Sequence, residues 1–486
     1  MSSIKQSTIT FLFLIIISGG CSTKDVRQPN PQMDGDFWKT QAIDDIITPW
    51  TQNGLNTETN TFPTYMDREW EPFRSTNQNP GMVSRHIFSY STAYLLTGED
   101  KYLDLATQII EYMIEYGWDP EYGLWYNEID EEGNPVDLDK GMFMQLYAVT
   151  GLAMYYVVTL DETVLEYIQE SIELLNTHAL DEQHGGYINA LNRDLTVKDP
   201  SKRATPQLAP LSGYLAYLYP VTKNDQYLNE MTDGVDLILD KMISPEEQWL
   251  MGSFDEQWQV NMEQSDKINV GHNLEIVWTL LRLHLLTGNE SYKEKALELY
   301  PRLYEVTFNE QTGAWHHNFS MANIDEKAES TPWWVQAYGN MLELYLYRIT
   351  EDQLHLDRFQ QGADFWNNYF IDKEFGAAYL SVGINGEIEN GNKAVRSKTS
   401  YHSMEHGLLN YLYLNLWVQN KPVTLYFKIN SSKGGKRLYP NLVEDSEVKI
   451  RSVSINGSEW DQFNPEDGFI TLPELRNGSV QVQLIR

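Results

Sequence analysis

The segment LLTGNESYKEKALELY, residues 285–300, sets the fold because it recurs along the chain. LLTGEDKYLDLATQII at 95–110 nearly repeats it, and weaker copies begin at Val157, Pro220 and Tyr347. The aligned threonines are residues 97, 159, 222, 287 and 350, so they are spaced by 62, 63, 65 and 63 residues. A period this even is typical of a repeated supersecondary unit.

Each repeat has the same plan. An apolar helix precedes the threonine turn, an amphipathic helix follows it, and a loop with an acidic residue and a glycine comes last. We count five such helical hairpins, and segments 36–50 and 402–417 supply a sixth pair. Twelve alternating helices can close into a ring with the apolar helices inside. The sequence therefore predicts a mainly α protein, an (α/α)6 barrel with its pocket at the starts of the inner helices; an open solenoid is the alternative.

The two ends of the chain differ from the repeats. The N-terminal segment has Lys5, an apolar run FLFLIII and small residues before Cys21, a pattern typical of a bacterial lipoprotein signal. Near the other end, apolar and polar residues alternate, which is typical of strands. We therefore expect a signal at 1–20, a polar tether at 21–35, the catalytic barrel at 36–420 and a small antiparallel β module at 421–486.

Cys21 is the only cysteine, so no disulfide can form within one chain and no cysteine remains for catalysis or metal binding. Lipidation at Cys21 predicts an exported lipoprotein in the outer membrane. A plain secretory signal with an incidental cysteine is the alternative.

The charge balance excludes one class of partner. The chain has 36 basic and 69 acidic residues, a net charge of −33, which repels nucleic acid and anionic lipid. Its aromatic content of 13% offers many ring surfaces of the kind on which sugars stack. We expect an oligosaccharide substrate and no nucleic acid, and we infer no obligate protein partner.

Two helix starts carry the candidate chemistry. In VGHNLEIVWTLL, residues 270–281, His272 and Glu275 are three apart and share one helix face. SKTSYHSMEHGLLNYLYL, from Ser397, again begins an apolar helix with a histidine, His402. Two such starts predict one shared pocket. A buried histidine bonded to its neighbour is the structural alternative for each.

Four segments resemble a known superfamily in order and spacing. GHNLEIVW is similar to the G-H-x-x-E-x-x-W signature of the N-acylglucosamine 2-epimerase superfamily, which includes cellobiose 2-epimerases and mannose isomerases. TPWWVQAY resembles its W-W-x-Q-A segment, KTSYHSMEHG its K-x-x-Y-H segment, and SRHIF its arginine-bearing first inner helix. The resemblance implies an (α/α)6 barrel in which two histidines exchange protons with a carbon next to a carbonyl or carboxylate, without metal or cofactor. The resemblance implies catalytic histidines at His272 and His402 and a substrate-binding arginine at Arg85. From the chemistry of the neighbouring residues we add two catalytic candidates, Glu275, which we expect to orient His272, and Tyr401. The further substrate-binding candidates are Trp333, Trp334, Tyr338, Arg396 and Lys398.

The chain departs from the family pattern at three places. On the third inner helix, Leu208, Pro210 and Gly213 lie near the positions of the family's His, His and Glu. Tyr338 replaces a glutamate, and Ser397 replaces the tryptophan beside the last histidine. We interpret these changes as retained proton-transfer chemistry with an altered substrate.

The preferred hypothesis is a dehydratase that eliminates water from uronic-acid oligosaccharides, because the resemblance extends to exported ulvan dehydratases. One histidine would be the base and the other, or Tyr401, the acid. Arg85 with Arg396 or Lys398 would neutralise the carboxylate.

Three alternatives remain open. A sugar 2-epimerase or aldose–ketose isomerase would need the same two histidines. A glycan-binding protein would use the aromatic residues without chemistry. Glycoside hydrolysis needs paired carboxylates, for which Glu69, Glu275 and Glu405 are candidates.

Overall fold

A computed structural model describes residues 30–75 and 77–486. The predicted export signal and Cys21 lie outside these residues, so lipidation stays a prediction. The helices in chain order are α1 (Gly35–Gln41), α2 (Pro80–Thr97), α3 (Asp100–Tyr112), α4 (Met142–Thr159), α5 (Glu162–His178), α6 (Ala204–Ser212), α7 (Tyr214–Thr222), α8 (Asp225–Lys241), α9 (Met262–Ser265), α10 (Val270–Thr287), α11 (Glu290–Thr307), α12 (Trp333–Thr350), α13 (Gln353–Phe365) and α14 (Tyr401–Tyr413). Helical turns of π type continue α1, α3, α13 and α14, at Ala42–Ile47, Trp50–Gly54, Met113–Gly117, Trp366–Phe370 and Leu414–Val418.

The inner helices form a closed ring. They are α2, α4, α6 with α7, α10, α12 and α14; each packs against the next, and α14 packs against α2. The outer helices are α1, α3, α5, α8, α11 and α13, and α1 pairs with α14 as the sixth hairpin. The predicted (α/α)6 barrel is confirmed, and ring closure excludes the open solenoid. Helix α4 is long and apolar enough to cross a membrane, but 94% of it is buried inside the barrel.

The repeated threonine ends five of the six inner helices. The Thr287 hydroxyl donates to the Leu283 carbonyl and accepts the N–H of Asn289, which caps α11. The residue between them, Gly288, adopts a positive φ of 70° that reverses the chain. The other four repeats have the same arrangement of threonine, left-handed residue and outer helix. The 62–65 residue period therefore marks the inner-to-outer turn.

Buried ion pairs hold the loops that lead back to the inner helices. Three loops begin with an aspartate whose carboxylate pairs with a buried lysine 21 residues later, just before the next inner helix. The pairs are Asp119–Lys140, Asp181–Lys202 and Asp372–Lys393. Gln145 on α4 bonds both backbone groups of Trp125 in its loop. The side chains of Lys140 and Gln145 are thus engaged in holding this loop.

Short strands connect the helices, and the C-terminal strands form a module. The strands are β1 (Glu128–Ile129), β2 (Pro135–Asp137), β3 (Lys140–Gly141), β4 (Ala190–Leu191), β5 (Val197–Asp199), β6 (Lys202–Arg203), β7 (Ser253–Phe254), β8 (Lys267–Asn269), β9 (Phe308–Asn309), β10 (Ala314–Trp315), β11 (Asn318–Ser320), β12 (Ser330–Pro332), β13 (Ser381–Gly383), β14 (Ile388–Asn390), β15 (Val423–Lys433), β16 (Arg437–Leu438), β17 (Lys449–Ile455), β18 (Ser458–Trp460), β19 (Phe463–Asn464), β20 (Phe469–Thr471) and β21 (Glu474–Ile485). In the module, one antiparallel sheet has the order β15-β21-β17-β18 and another the order β16-β20-β19. Strand β15 packs on α2 and α4.

Candidate active site

A cavity of about 130 Å³ lies where the inner helices begin. All six inner positions of the barrel contribute to its walls, as the sequence predicts for an (α/α)6 barrel. The lining residues are Arg85, Phe143, Tyr147, Thr205, Leu208, Ala209, His272, Glu275, Trp333, Trp334, Tyr338, Ser397 and His402.

His272 lies in the first turn of α10. Its backbone N–H is capped by the Asn269 side chain at 3.0 Å, which places the ring at the mouth of the barrel. The ring Nε2 is 3.4 Å from the Thr205 hydroxyl. Burial lowers the pKa of His272 to about 4, with a smaller contribution from the neighbouring His317. The imidazole is therefore neutral at pH 7.

His402 has a carboxylate partner on its own helix. The Nδ1 atom of His402 is 3.4 Å from Glu405 Oε2, one turn further along α14. The other oxygen of Glu405 accepts hydrogen bonds from the Tyr217 and Tyr401 hydroxyls, at 2.8 and 3.3 Å. Burial lowers the pKa of His402 to about 4, and Glu405 partly opposes that shift. A carboxylate at Nδ1 favours the tautomer with the proton there, which leaves Nε2 free as a base.

The sequence suggested that Glu275 orients His272, but the carboxyl group bonds elsewhere. Its Oε1 accepts a hydrogen bond of 2.5 Å from the Ser212 hydroxyl at the end of α6. Burial raises the pKa of Glu275 to about 7, although the Ser212 bond opposes this shift. Glu275 therefore carries a proton for much of the time near neutral pH.

Arg85 is a buried cation without a carboxylate partner among the described residues. Its side chain lies over the Tyr147 ring, 3.6 Å from the centroid, and Nη1 donates to the Ser397 carbonyl at 2.8 Å. The Nε atom has no partner in the described part of the chain. An electronegative group of a ligand would satisfy this guanidinium.

Aromatic rings line the wall formed by α12. The Trp334 ring lies 5.6 Å from the His272 ring and 6.2 Å from the His402 ring, so both histidines border the same indole. Tyr338 lies 5.6 Å from His402. Gly271 is required beside this wall, because a Cβ atom there would overlap the Trp334 ring. The glycine of the GHNLE segment is thus explained by packing.

Three assigned residues lie off the lining. Lys398 is buried, and its Nζ donates to the carbonyls of Ala378 and Lys393, so it has no role at the pocket surface. Burial also lowers its pKa well below the usual value. Arg396 is exposed on the loop before α14 and does not line the cavity. Tyr401 lies behind the lining and supports Arg85 and Glu405.

Sequence reasoning missed several residues of the site. Glu405 was considered only as a hydrolytic acid, although its i,i+3 spacing from His402 matches that of His272 and Glu275. Ser212 and Thr205 gave no signal, because their partners are more than 60 residues away. Phe143 and Tyr147 lie in the apolar helix α4, whose sequence pattern predicts buried core residues and gives no sign of a ligand site.

One acidic group elsewhere resembles a metal site. Among the described residues, ligand atoms of Asp181, His184 and Glu256 lie close enough together to hold an ion. Asp181 already pairs with Lys202 at 2.8 Å, and this positive charge disfavours a cation.

Comparison with known proteins agrees with the barrel fold. A sequence profile described as N-acylglucosamine 2-epimerase (GlcNAc 2-epimerase) matches residues 62–405. The chain belongs to this family. Family membership identifies a carbohydrate-acting enzyme.

Individual relatives are distant. A cellobiose 2-epimerase of Bacteroides fragilis is 23% identical over 376 residues, which cover 74% of this chain and 93% of the relative. A D-mannose isomerase of Marinomonas mediterranea is 22% identical, with 66% and 83% covered. The structure of a cellobiose 2-epimerase from Bacillus thermoamylovorans B4167 superposes with a TM-score of 0.71 at 21% identity, over 78% of this chain and 98% of that one. The activities named for these relatives are epimerase and isomerase activities, which favour the epimerase or isomerase alternative over the dehydratase hypothesis.

Proposed function

We propose that the protein is a sugar 2-epimerase or aldose–ketose isomerase that acts on a reducing-end sugar. The observation that carries this proposal is the pair of neutral histidines, His272 and His402, that border one indole. The same cavity contains the Arg85 guanidinium, which has no carboxylate partner among the described residues. Membership of the family and the named activities of its relatives support the same reaction class.

His402 is the proposed base. Its neutral ring removes the proton from C2 of the open-chain sugar, and the electron pair moves toward the C1 carbonyl oxygen to form an enolate. Glu405 stabilises the resulting imidazolium through Nδ1. Arg85 stabilises the negative charge that develops on the enolate oxygen.

Glu275 is the proposed acid, and the neutral His272 ring borders the same cavity. Return of a proton to C2 from the opposite face inverts that carbon and makes an epimer. Return to C1 instead, with loss of the O2 proton, makes a ketose. Glu275 is suited to supply the proton because its pKa of about 7 keeps it partly protonated at neutral pH.

Proton exchange tests the proposal directly. The purified protein is incubated in D₂O with cellobiose or D-mannose, and the products are separated and examined by NMR. We expect deuterium at C2 of an epimer or at C1 of a ketose, and none with His402→Ala. Absence of deuterium from both sugars would overturn the proposal.

The dehydratase is retained as a second candidate because of Arg85. Among the described residues, no carboxylate pairs with this buried guanidinium, so it is suited to bind the carboxylate of a uronic acid. Water elimination from a uronic-acid oligosaccharide would produce an unsaturated sugar that absorbs in the ultraviolet and has lost the mass of one water. Neither signal is expected if the protein is an epimerase or isomerase.

Export and lipid anchoring through Cys21 are proposed from the signal-like segment alone. Expression of the full chain with a labelled fatty acid tests this proposal. Label should appear in the wild-type protein and be absent from Cys21→Ser. An unlabelled wild-type chain would leave the plain secretory alternative.

A further inference from the structure

Helix α6 separates the active-site cavity from a second, larger cavity. Thr205, Leu208 and Ala209 face the active site. Gln207, Pro210 and Leu211, on the other side of the same helix, line a rear cavity of about 390 Å³. The far wall of this rear cavity comes from α5, α8 and the loop at 180–187. A single helix is therefore all that stands between the two spaces.

This wall is less firmly built than the rest of the inner ring. Helices α2, α4, α10 and α12 are each continuous over 18 residues, whereas the third inner position is split into α6 and α7 of nine residues each. Pro210 cannot donate a backbone hydrogen bond to the preceding turn. Gly213 then breaks the helix at φ −93° and ψ −118°, and a Cβ atom there would overlap the Ala209 carbonyl. The third inner helix is thus interrupted between α6 and α7, beside the rear cavity.

The volumes of the two cavities indicate what the break between α6 and α7 could allow. The active-site cavity of about 130 Å³ is below the ~300–1,000 Å³ of typical ligand pockets. The rear cavity offers room for α6 to move away from the site. At its edge, a Cβ atom on Gly234 of α8 would lie 2.8 Å from Leu211 Cδ2. The absence of a side chain at Gly234 therefore lets Leu211 of α6 pack directly against α8 at the edge of the rear cavity.

We propose that α6 is a movable wall that sets the size of the sugar the enzyme accepts, with Gly234 and Leu211 as specificity-determining residues behind it. The inference rests on the proposed function, because it concerns the sugar at that site. A disaccharide displaces α6 toward the rear cavity, whereas a monosaccharide needs less displacement. Ser212, which bonds Glu275, ends this wall, so its position also bears on the acid.

Filling the rear cavity tests the proposal. Gly234→Leu places a good helix former on α8, and because its Cβ atom would already overlap Leu211, the larger side chain presses α6 toward the active site and fills part of the rear cavity. We expect kcat/KM for cellobiose to fall ~10-fold or more relative to that for D-mannose, since crowding by a few methylene groups has effects of this size. Leu211→Ala, which enlarges the same space, should shift the ratio the other way. Gly252→Ala is the matched control, because a Cβ atom there meets no atom within 4 Å.

Hydrogen exchange provides a readout that does not depend on turnover. Amides of 204–222 should exchange faster than those of α4 in the wild-type protein, and Gly234→Leu should slow them. Equal exchange in α4 and α6, or an unchanged sugar ratio in both variants, would overturn the movable wall. If neither sugar takes up deuterium but Gly234→Leu slows the exchange, the proposed function fails while the movable wall stands.

Discussion

Burial decides the protonation state of each group at the reacting centre. His272 and His402 lose the charged form because an imidazolium is poorly solvated in the cavity, so their pKa values fall to about 4. The same burial raises the pKa of Glu275 to about 7, because here the charged form is the carboxylate. One environment thus prepares a neutral base at His402 and a partly protonated acid at Glu275 at the same pH.

Removal of the proposed base should abolish proton exchange. His402→Ala is expected to lower kcat/KM by ~10²–10⁴-fold, the usual contribution of a general base. His284→Ala is the control, because that histidine lies at the far end of α10, where it contacts Asn289 and Glu290. Deuterium incorporation at C2 is the measurement. Full exchange in His402→Ala would assign the base elsewhere.

The pH profile should report the two shifted groups. We expect kcat/KM to fall below about pH 4, as His402 gains a proton, and above about pH 7, as Glu275 loses one. Glu275→Gln cannot titrate but keeps an acceptor for Ser212, so its residual activity should lack the alkaline fall. An alkaline fall that persists in Glu275→Gln would contradict the role of this carboxyl group.

At the scale of elements, two local devices repeat around the barrel. The threonine turn joins five of the six inner helices to their outer partners, and the aspartate–lysine pair ties a returning loop to the next inner helix. The first device involves residues close in sequence and is visible as the period. The second joins residues 21 apart and is recognisable only once the loops have folded.

Breaking one of these ion pairs should destabilise the barrel. In Asp372→Ala, Lys393 would be buried without its carboxylate, which costs ~3–5 kcal/mol of unfolding free energy. Asp104→Ala changes an exposed carboxylate on α3 and should cost less than ~0.5 kcal/mol. Urea denaturation of both variants gives the comparison. Equal stability of the two variants would mean that neither Lys393 nor Arg68, the other partner of Asp372, requires the carboxylate.

At the scale of the whole molecule, the C-terminal module closes the base of the barrel. Glu444 reaches the ends of the inner helices, where it pairs with the buried Arg282 of α10 and accepts the Tyr345 hydroxyl of α12. Asp445 beside it bonds Arg348 and Trp417. The module is therefore part of the core and supports the helices that carry the active site.

Removal of the Glu444 carboxylate should lower the free energy of unfolding of the barrel. Glu444→Ala leaves the Arg282 charge buried and should cost ~3–5 kcal/mol. Glu466→Ala, which removes an exposed pair with Lys449 in the same module, should cost at most ~1 kcal/mol. Thermal unfolding followed by circular dichroism separates the two outcomes. Similar melting temperatures would show that the module is only appended.

The sequence by itself determined the helical repeat, the barrel, the C-terminal strands and the positions of His272, His402 and Arg85, because these depend on periodicity and on motifs within short segments. Only the tertiary structure decided that Glu405 partners His402, that Ser212 bonds Glu275 and that Lys398 is buried away from the pocket. It alone placed the rear cavity behind α6 and brought Arg282 to Glu444, 162 residues away. Such contacts depend on how distant segments pack, and a local pattern carries no record of a partner that reaches it only after the ring has closed.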